Sequence, residues 1–178
     1  MVQLTVLFWF FVIEFAAIGL MRGWAKELLV TFAAILALFM IQVLENFVPF
    51  IKAMAAEPGS TIFWMRALIL TGLVFFGYQS PNIAKLAGSG RFVRERFQDA
   101  LLGLFLGALN GYIIFGSLWY YLDNAGYPFP VITAPDMTGT AGEATRRLLE
   151  AFAPHLLGIP QIYFAVAIAF AFVLVVFI

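Results

Sequence analysis

The chain has no cysteine, a single histidine and little charge. Without cysteine it can form no disulfide and offers no thiolate as nucleophile or ligand. The one histidine, His155, falls in a loop segment, so haem or chlorophyll ligation by histidine inside an apolar helix is excluded. No cluster of residues has metal-ligand spacing. Ser80, Ser89 and Ser117 have no base nearby in sequence. Gly88-Ser89-Gly90 lacks the strand and helix that a phosphate loop needs. The expectation is a protein that is not an enzyme and carries no cofactor. Charged residues are 11% of the 178, ten basic and ten acidic, for zero net charge. A soluble domain of ordinary composition has about 25%. No basic excess is available for nucleic acid.

What the chain has instead is apolar sequence, 63% of all residues. Five runs hold it, at about residues 2–21, 28–44, 62–78, 100–122 and 162–178. Each approaches the roughly 17–25 residues that cross a bilayer as a helix. Five such runs leave no polar sequence to cover them, so the chain reads as an integral membrane protein. The first run has no basic residue before it, and Arg22-Gly23-Trp24 stands where a cleavage site would lie. It reads as a retained helix rather than a signal peptide. The fold expected is all-α, a polytopic membrane helix bundle forming one domain over residues 1–178, with a four-helix core plus a fifth transmembrane helix. The last run ends Val-Val-Phe-Ile with no charged stop, which suggests that the natural chain continues past Ile178.

Charge distribution gives an orientation. Arg22 and Lys26 lie between the first two helices, and Lys85, Arg91, Arg94 and Arg96 between the third and fourth. The opposite loops hold only Lys52, Arg146 and Arg147. Basic loops face the cytoplasm, so the N-terminus is expected outside and the C-terminus inside. Trp64, Trp119, Tyr120, Tyr121 and Tyr163 then fall near outer ends, Trp24 and Tyr78 near inner ends, where rings with a polar handle prefer to sit. Residues 47–60, with Pro49, Pro58 and Gly59, read as a short outer connection, and Ala87-Gly88-Ser89-Gly90 as a flexible inner turn. In the last outer loop, Thr140 and Glu143 make a possible capping box. An amphipathic helix over about 141–153 should follow, with Leu148, Leu149 and Phe152 on one face, lying on the outer surface.

Two short stretches carry more information. In Asp99-Ala-Leu-Leu-Gly103-Leu-Phe-Leu-Gly107-Ala-Leu-Asn110-Gly111, three glycines recur every four residues. They drift only about 40° per step and form one groove along the fourth helix. In a membrane such grooves bring backbones close and gain van der Waals contact. Gly19 and Gly23, with Ala16, give the first helix a shorter small-residue face. The second stretch is Gly19-Leu-Met-Arg22-Gly23-Trp-Ala-Lys26-Glu27-Leu28. It is a turn of only a few residues, so the first two helices are expected to be an antiparallel pair. Gly23 permits the corner, while Arg22, Lys26 and Glu27 can bind helix-end groups and lipid phosphates. Glu27 also suits the start of the second helix.

The Gly19–Leu28 stretch resembles the first-loop motif of the colicin V production protein (CvpA-type) family: arginine-glycine, an aromatic, then a basic-acidic pair. Asp99 to Gly111 is similar to that family's second motif, an aspartate four residues before three glycines spaced by four. Asn110 stands where family members carry a basic residue, and Glu14 and the fifth apolar segment are additions. The likeness covers about residues 2–123. It implies a bacterial cytoplasmic (inner) membrane protein linked to bacteriocin export and envelope upkeep. The alternative is a structural accessory subunit packed at the edge of a larger membrane complex. The glycine faces suit that role, and Glu14, Gln42, Asn110 and Ser117 are too few polar groups to line a pore. The partners expected are membrane lipids, with other membrane polypeptides or self-association.

Two contacts can be expected from depth alone. Arg66, about one turn inside the third helix, should pair with Glu45 at the end of the second, with Gln42 within reach. Glu14 lies eight residues before Arg22, about 12 Å deep, and Asn110 roughly 15 Å deep. Asn110 is only about 20° from Gly103 around the helix. The first helix is therefore expected in the glycine groove, with Glu14 hydrogen-bonded near Asn110, because a lone carboxylate in lipid costs several kcal/mol.

Overall fold

The computed structural model describes residues 3–79 and 93–177. Lys85, Arg91, the Ala87–Gly90 turn, Ser80, Ser89 and Ile178 lie outside the described residues. Within them every regular element is a helix, with no strand. In chain order the helices are α1 (Leu4–Arg22), α2 (Trp24–Phe47), α3 (Pro49–Ala55), α4 (Ser60–Tyr78), α5 (Val93–Asn124), α6 (Gly139–Ala151), α7 (Ala153–Leu156) and α8 (Gln161–Phe177). Four of these, Leu4–Arg22, Trp24–Phe47, Ser60–Tyr78 and the Arg96–Asn124 part of α5, are long and apolar enough to cross a membrane. The protein is thus a multi-pass membrane helix bundle. α8 is equally apolar but shorter, at 17 residues.

Several helices begin earlier than their apolar runs. α2 starts at Trp24, so Lys26 and Glu27 lie in its first turns rather than in a loop. α5 starts at Val93 and carries Arg96 and Asp99 inside the helix; its 32 residues span about 48 Å. The expected loop 47–60 contains α3, started by Pro49 at its first position, where a missing N–H costs nothing. The expected capping box does not form. α6 begins at Gly139, which puts Thr140 inside the helix. Thr138 is the cap residue, and its hydroxyl donates to Asp136 instead (2.7 Å).

Only one residue, Gly23, separates α1 from α2. Its φ of 83° is open to glycine and strained for other residues. α1 packs along α5 and touches α2 sparsely, while α2 packs on α4 and α5. The glycine groove explains the choice. A Cβ on Gly19 would strike the Gly103 carbonyl oxygen and lie 2.8 Å from the Gly107 Cα, and a Cβ on Gly107 would strike the Phe15 carbonyl oxygen. Further along, Gly111 faces Val12 and Phe15, and Gly23 faces Asp99. Residue numbers fall on one helix as they rise on the other, so α1 and α5 are antiparallel. Their backbones approach more closely than any Cβ-bearing pair could, which is the contact that holds helices together in lipid.

The core lies between α2, α4 and α5. Val30, Ala34, Leu38 and Ile41 of α2 recur at helical spacing and meet Leu70 and Val74 of α4 and Ile113 and Ile114 of α5. A second cluster closes the end away from the corner, where Phe8 and Val12 of α1 and Trp119 of α5 surround Leu149 and Phe152. The apolar face of α6 packs onto the ends of α1 and α5. Trp119 and Tyr121, expected at an interfacial belt, are buried here.

Candidate functional site

The site is built at the α1–α2 corner. Arg22 ends α1, and Glu27 lies one turn into α2 with no exposed surface. Glu27 and Thr31 are one helical turn apart on the face of α2 that continues through Ala34, Leu38 and Ile41 into the core, so both polar groups are carried inside. α5 supplies Asn110, also wholly buried, and α4 ends at Tyr78 above them.

These groups form a closed network. Arg22 Nη1 donates to Glu27 Oε1 at 2.7 Å. Asn110 Nδ2 donates to Glu27 Oε2 at 2.8 Å and to the Glu27 carbonyl at 2.9 Å. Thr31 Oγ1 donates to Asn110 Oδ1 at 2.7 Å. The Tyr78 hydroxyl reaches Glu27 Oε2 at 3.4 Å, and Arg22 Nη2 donates to the Tyr78 carbonyl at 3.2 Å. The guanidinium lies over the Tyr78 ring, 4.3 Å from its centroid, a cation–π contact. The charge of Glu27 is thus balanced by Arg22, and both its oxygens accept hydrogen bonds. Four chain segments are tied to one carboxylate at a depth where an unpaired one would cost several kcal/mol.

Asp99 completes the corner from α5. Its Oδ1 accepts the Trp24 backbone N–H at 3.2 Å. Gly23, the cap residue of α2, has no side chain to bind the first N–H groups, and Asp99 serves in its place. A Cβ on Gly23 would sit 2.8 Å from that carboxylate. Lys26 is half-buried nearby and joins no ion pair among the described residues.

A different polar group lies at the opposite end. Arg66 Nε donates to Glu45 Oε1 at 2.6 Å, and the guanidinium lies 5.2 Å from the centre of the Tyr121 ring. Gln42 donates to the Leu157 carbonyl at 2.5 Å instead of meeting Arg66; its Oε1 is buried without a hydrogen-bond partner. Gln42, Glu45, Arg66, Tyr121 and Asn124 line an open cleft of about 480 Å³.

Of the residues singled out from sequence, Arg22, Glu27, Asp99 and Asn110 come together with Gly19, Gly23, Gly103, Gly107 and Gly111 at one α1–α2–α5 junction. Glu14 does not join them. Its side chain is exposed on the outside of the bundle, and Glu27 takes the place beside Asn110 expected for it. The reason is helical phase. Glu14 precedes Gly19 by five residues, about 140° around the helix, so with Gly19 in the groove Glu14 points away. Glu14 and Asn110 match in depth and differ in direction. Thr31 and Tyr78 are network members that the sequence did not single out. The i, i+4 spacing of Glu27 and Thr31 on one helix face is the available signal.

The arrangement is a brace. No buried side-chain nitrogen or oxygen described in it lacks a hydrogen-bond partner, and no group of three or more His, Cys, Asp or Glu residues among the described residues could hold a metal. Fold and site together define a multi-pass membrane helix bundle locked by a buried ion pair. Set against models of known protein families, curated proteins and solved structures, the chain matches none.

Proposed function

We propose that this chain is a non-enzymatic bacterial inner-membrane protein of the colicin V production type, acting in envelope upkeep or export. The observation that supports it is the convergence of two separate stretches. Arg22, Gly23 and Glu27 carry the resemblance in the first, Asp99, Gly103, Gly107 and Gly111 in the second, and they share one buried junction. Gly23 and Asp99, far apart in sequence, serve a single structural purpose, as a paired motif should. The basic residues at the corner support a cytoplasmic position for it, with the N-terminus outside. On this reading α8, about 26 Å long, also crosses and leaves the C-terminus inside.

Deleting the chain from the bacterium that carries it tests this. The expected result is a leakier envelope, read as uptake of a dye that intact cells exclude, together with reduced secretion of small antibacterial peptides. A wild-type copy should restore both. Unchanged permeability and secretion would overturn the proposal. The accessory-subunit reading loses one of its supports, because the glycine groove of α5 is filled by α1 of the same chain and is closed to a partner helix.

A further inference from the structure

Every other polar side chain described in the middle of a spanning helix is bonded within the chain. Glu27, Thr31 and Asn110 share the corner network, Thr71 donates to the Ala67 carbonyl and Ser117 to that of Ile113. Glu14 is the exception. It lies ten residues from Leu4 and eight from Arg22, near the middle of α1, and no group of the described chain bonds it. Around it are exposed apolar side chains on the same face: Phe10 and Ile13 before it, Ala17 and Met21 after it. Lipid tails offer a carboxyl group nothing, and an ionisable residue there is expensive to keep.

We propose that this face of α1 is the contact between two copies of the chain in the membrane, with the two Glu14 carboxyl groups bonded to each other beside the twofold axis. In an isologous pair a residue next to the axis meets its own counterpart. A carboxyl group in its acid form donates through O–H and accepts through its other oxygen. Two of them therefore satisfy each other with no third group, and a second copy brings the complement automatically. Any other polypeptide would have to bring a lone buried donor of its own at the same depth. Ala17, one turn from Glu14, is small and lets the helices come close beside the carboxyl pair. The proposal rests on the membrane placement of α1 and is independent of the family resemblance.

The absence of cysteine makes the test direct. Ile13→Cys and Ala17→Cys are made singly in the full chain, and native membranes are oxidised. Phe76→Cys on α4 and Phe164→Cys on α8, equally exposed, serve as controls. The expected result is a disulfide-linked species of about twice 19.8 kDa at positions 13 or 17 and not at the controls. Adding Glu14→Leu should lower the linked fraction about tenfold, the worth of one good interhelical hydrogen-bonded pair. Glu14→Gln should preserve it, because an amide is also donor and acceptor. Glu14 bonds nothing inside the described chain, so neither change should lower the melting temperature of the protomer. No linkage at 13 and 17, linkage to a different polypeptide, equal linkage at the controls, or indifference to Glu14→Leu would each overturn the proposal.

Discussion

The two ends of the bundle each hold a guanidinium–carboxylate pair of nearly the same length, 2.7 Å for Arg22–Glu27 and 2.6 Å for Arg66–Glu45. Distance does not separate them; surroundings do. Glu27 is fully buried and further bonded by Asn110 and Tyr78, whereas both members of the other pair keep some exposure and border an open cleft. A pair that borders an open cleft can fall back on water when broken, and contributes less. A buried one leaves its remaining partners stranded. The corner is thus where the fold is locked, and the opposite end is where it can yield.

The sharpest way to break that contrast is Glu27→Leu. It strands Arg22 and the Asn110 N–H that binds the carboxylate, leaving only the bond to the residue-27 backbone carbonyl, for a loss of about 3–5 kcal/mol. Equilibrium unfolding in mixed micelles measures it. Adding Asn110→Leu should cost much less than the two single changes summed, since replacing both partners by apolar groups of similar size is nearly neutral. If the double variant is as unstable as the sum, the corner is not one network.

Gly107→Ala comes next. The added methyl would meet the Phe15 carbonyl oxygen and the Gly19 backbone, neither of which can move aside without parting α1 from α5. Overpacking of this kind costs about 1–3 kcal/mol. The same change at Gly72, where nothing lies within 4 Å, should be neutral or slightly stabilising, because it improves helix propensity. A Gly72→Ala loss as large as that at 107 would show that α1–α5 contact is not what the groove supplies.

The groove itself is legible in the sequence, because four-residue spacing fixes which residues share a helix face. The spans are legible for a similar reason: hydropathy reports burial in lipid directly. Arg66 and Glu45 can be matched because both sit at helix ends, where level alone brings side chains within reach. Glu14 and Asn110 show where this fails. They share a level, but level says nothing about direction, and only the phase of Glu14 relative to Gly19 reveals that it faces away. Glu27 reads as a loop or interface residue because the apolar run begins after it. In fact the helix starts at Trp24, and the charge is drawn inward by partners 51 and 83 residues away in sequence, Tyr78 and Asn110.

At the open end, Arg66→Ala should cost only about 1 kcal/mol, with part of that from lost packing on Tyr121. It should also shrink further in high salt, whereas Glu27→Leu should respond less, because the pair bordering the open cleft is the better screened. Thermal unfolding of both variants at low and high ionic strength checks the difference. Equal salt responses would erase the distinction between the two ends.

The smallest effect concerns Tyr127, just past α5 in the loop. Its hydroxyl donates to Asp123 at 3.2 Å and accepts the Trp119 indole N–H at 3.1 Å. Burial pushes its ionisation well above the ordinary value near 10, and the Asp123 carboxylate adds to the rise against the opposing bond from Trp119. The folded state therefore favours the neutral phenol. Its contribution is complete below about pH 10, where the unfolded chain also holds the proton. Above that, the unfolded chain ionises first, and the contribution is lost as pH climbs toward the higher folded value. Tyr127→Phe removes the group, so its melting temperature should fall less steeply than wild type above pH 10 and run parallel to it between pH 7 and 9. Since the residue is only half-buried, the divergence should be slight. Parallel curves through pH 11 would mean that water reaches the Tyr127 hydroxyl freely, and that this end is more open than its packing against Trp119 implies.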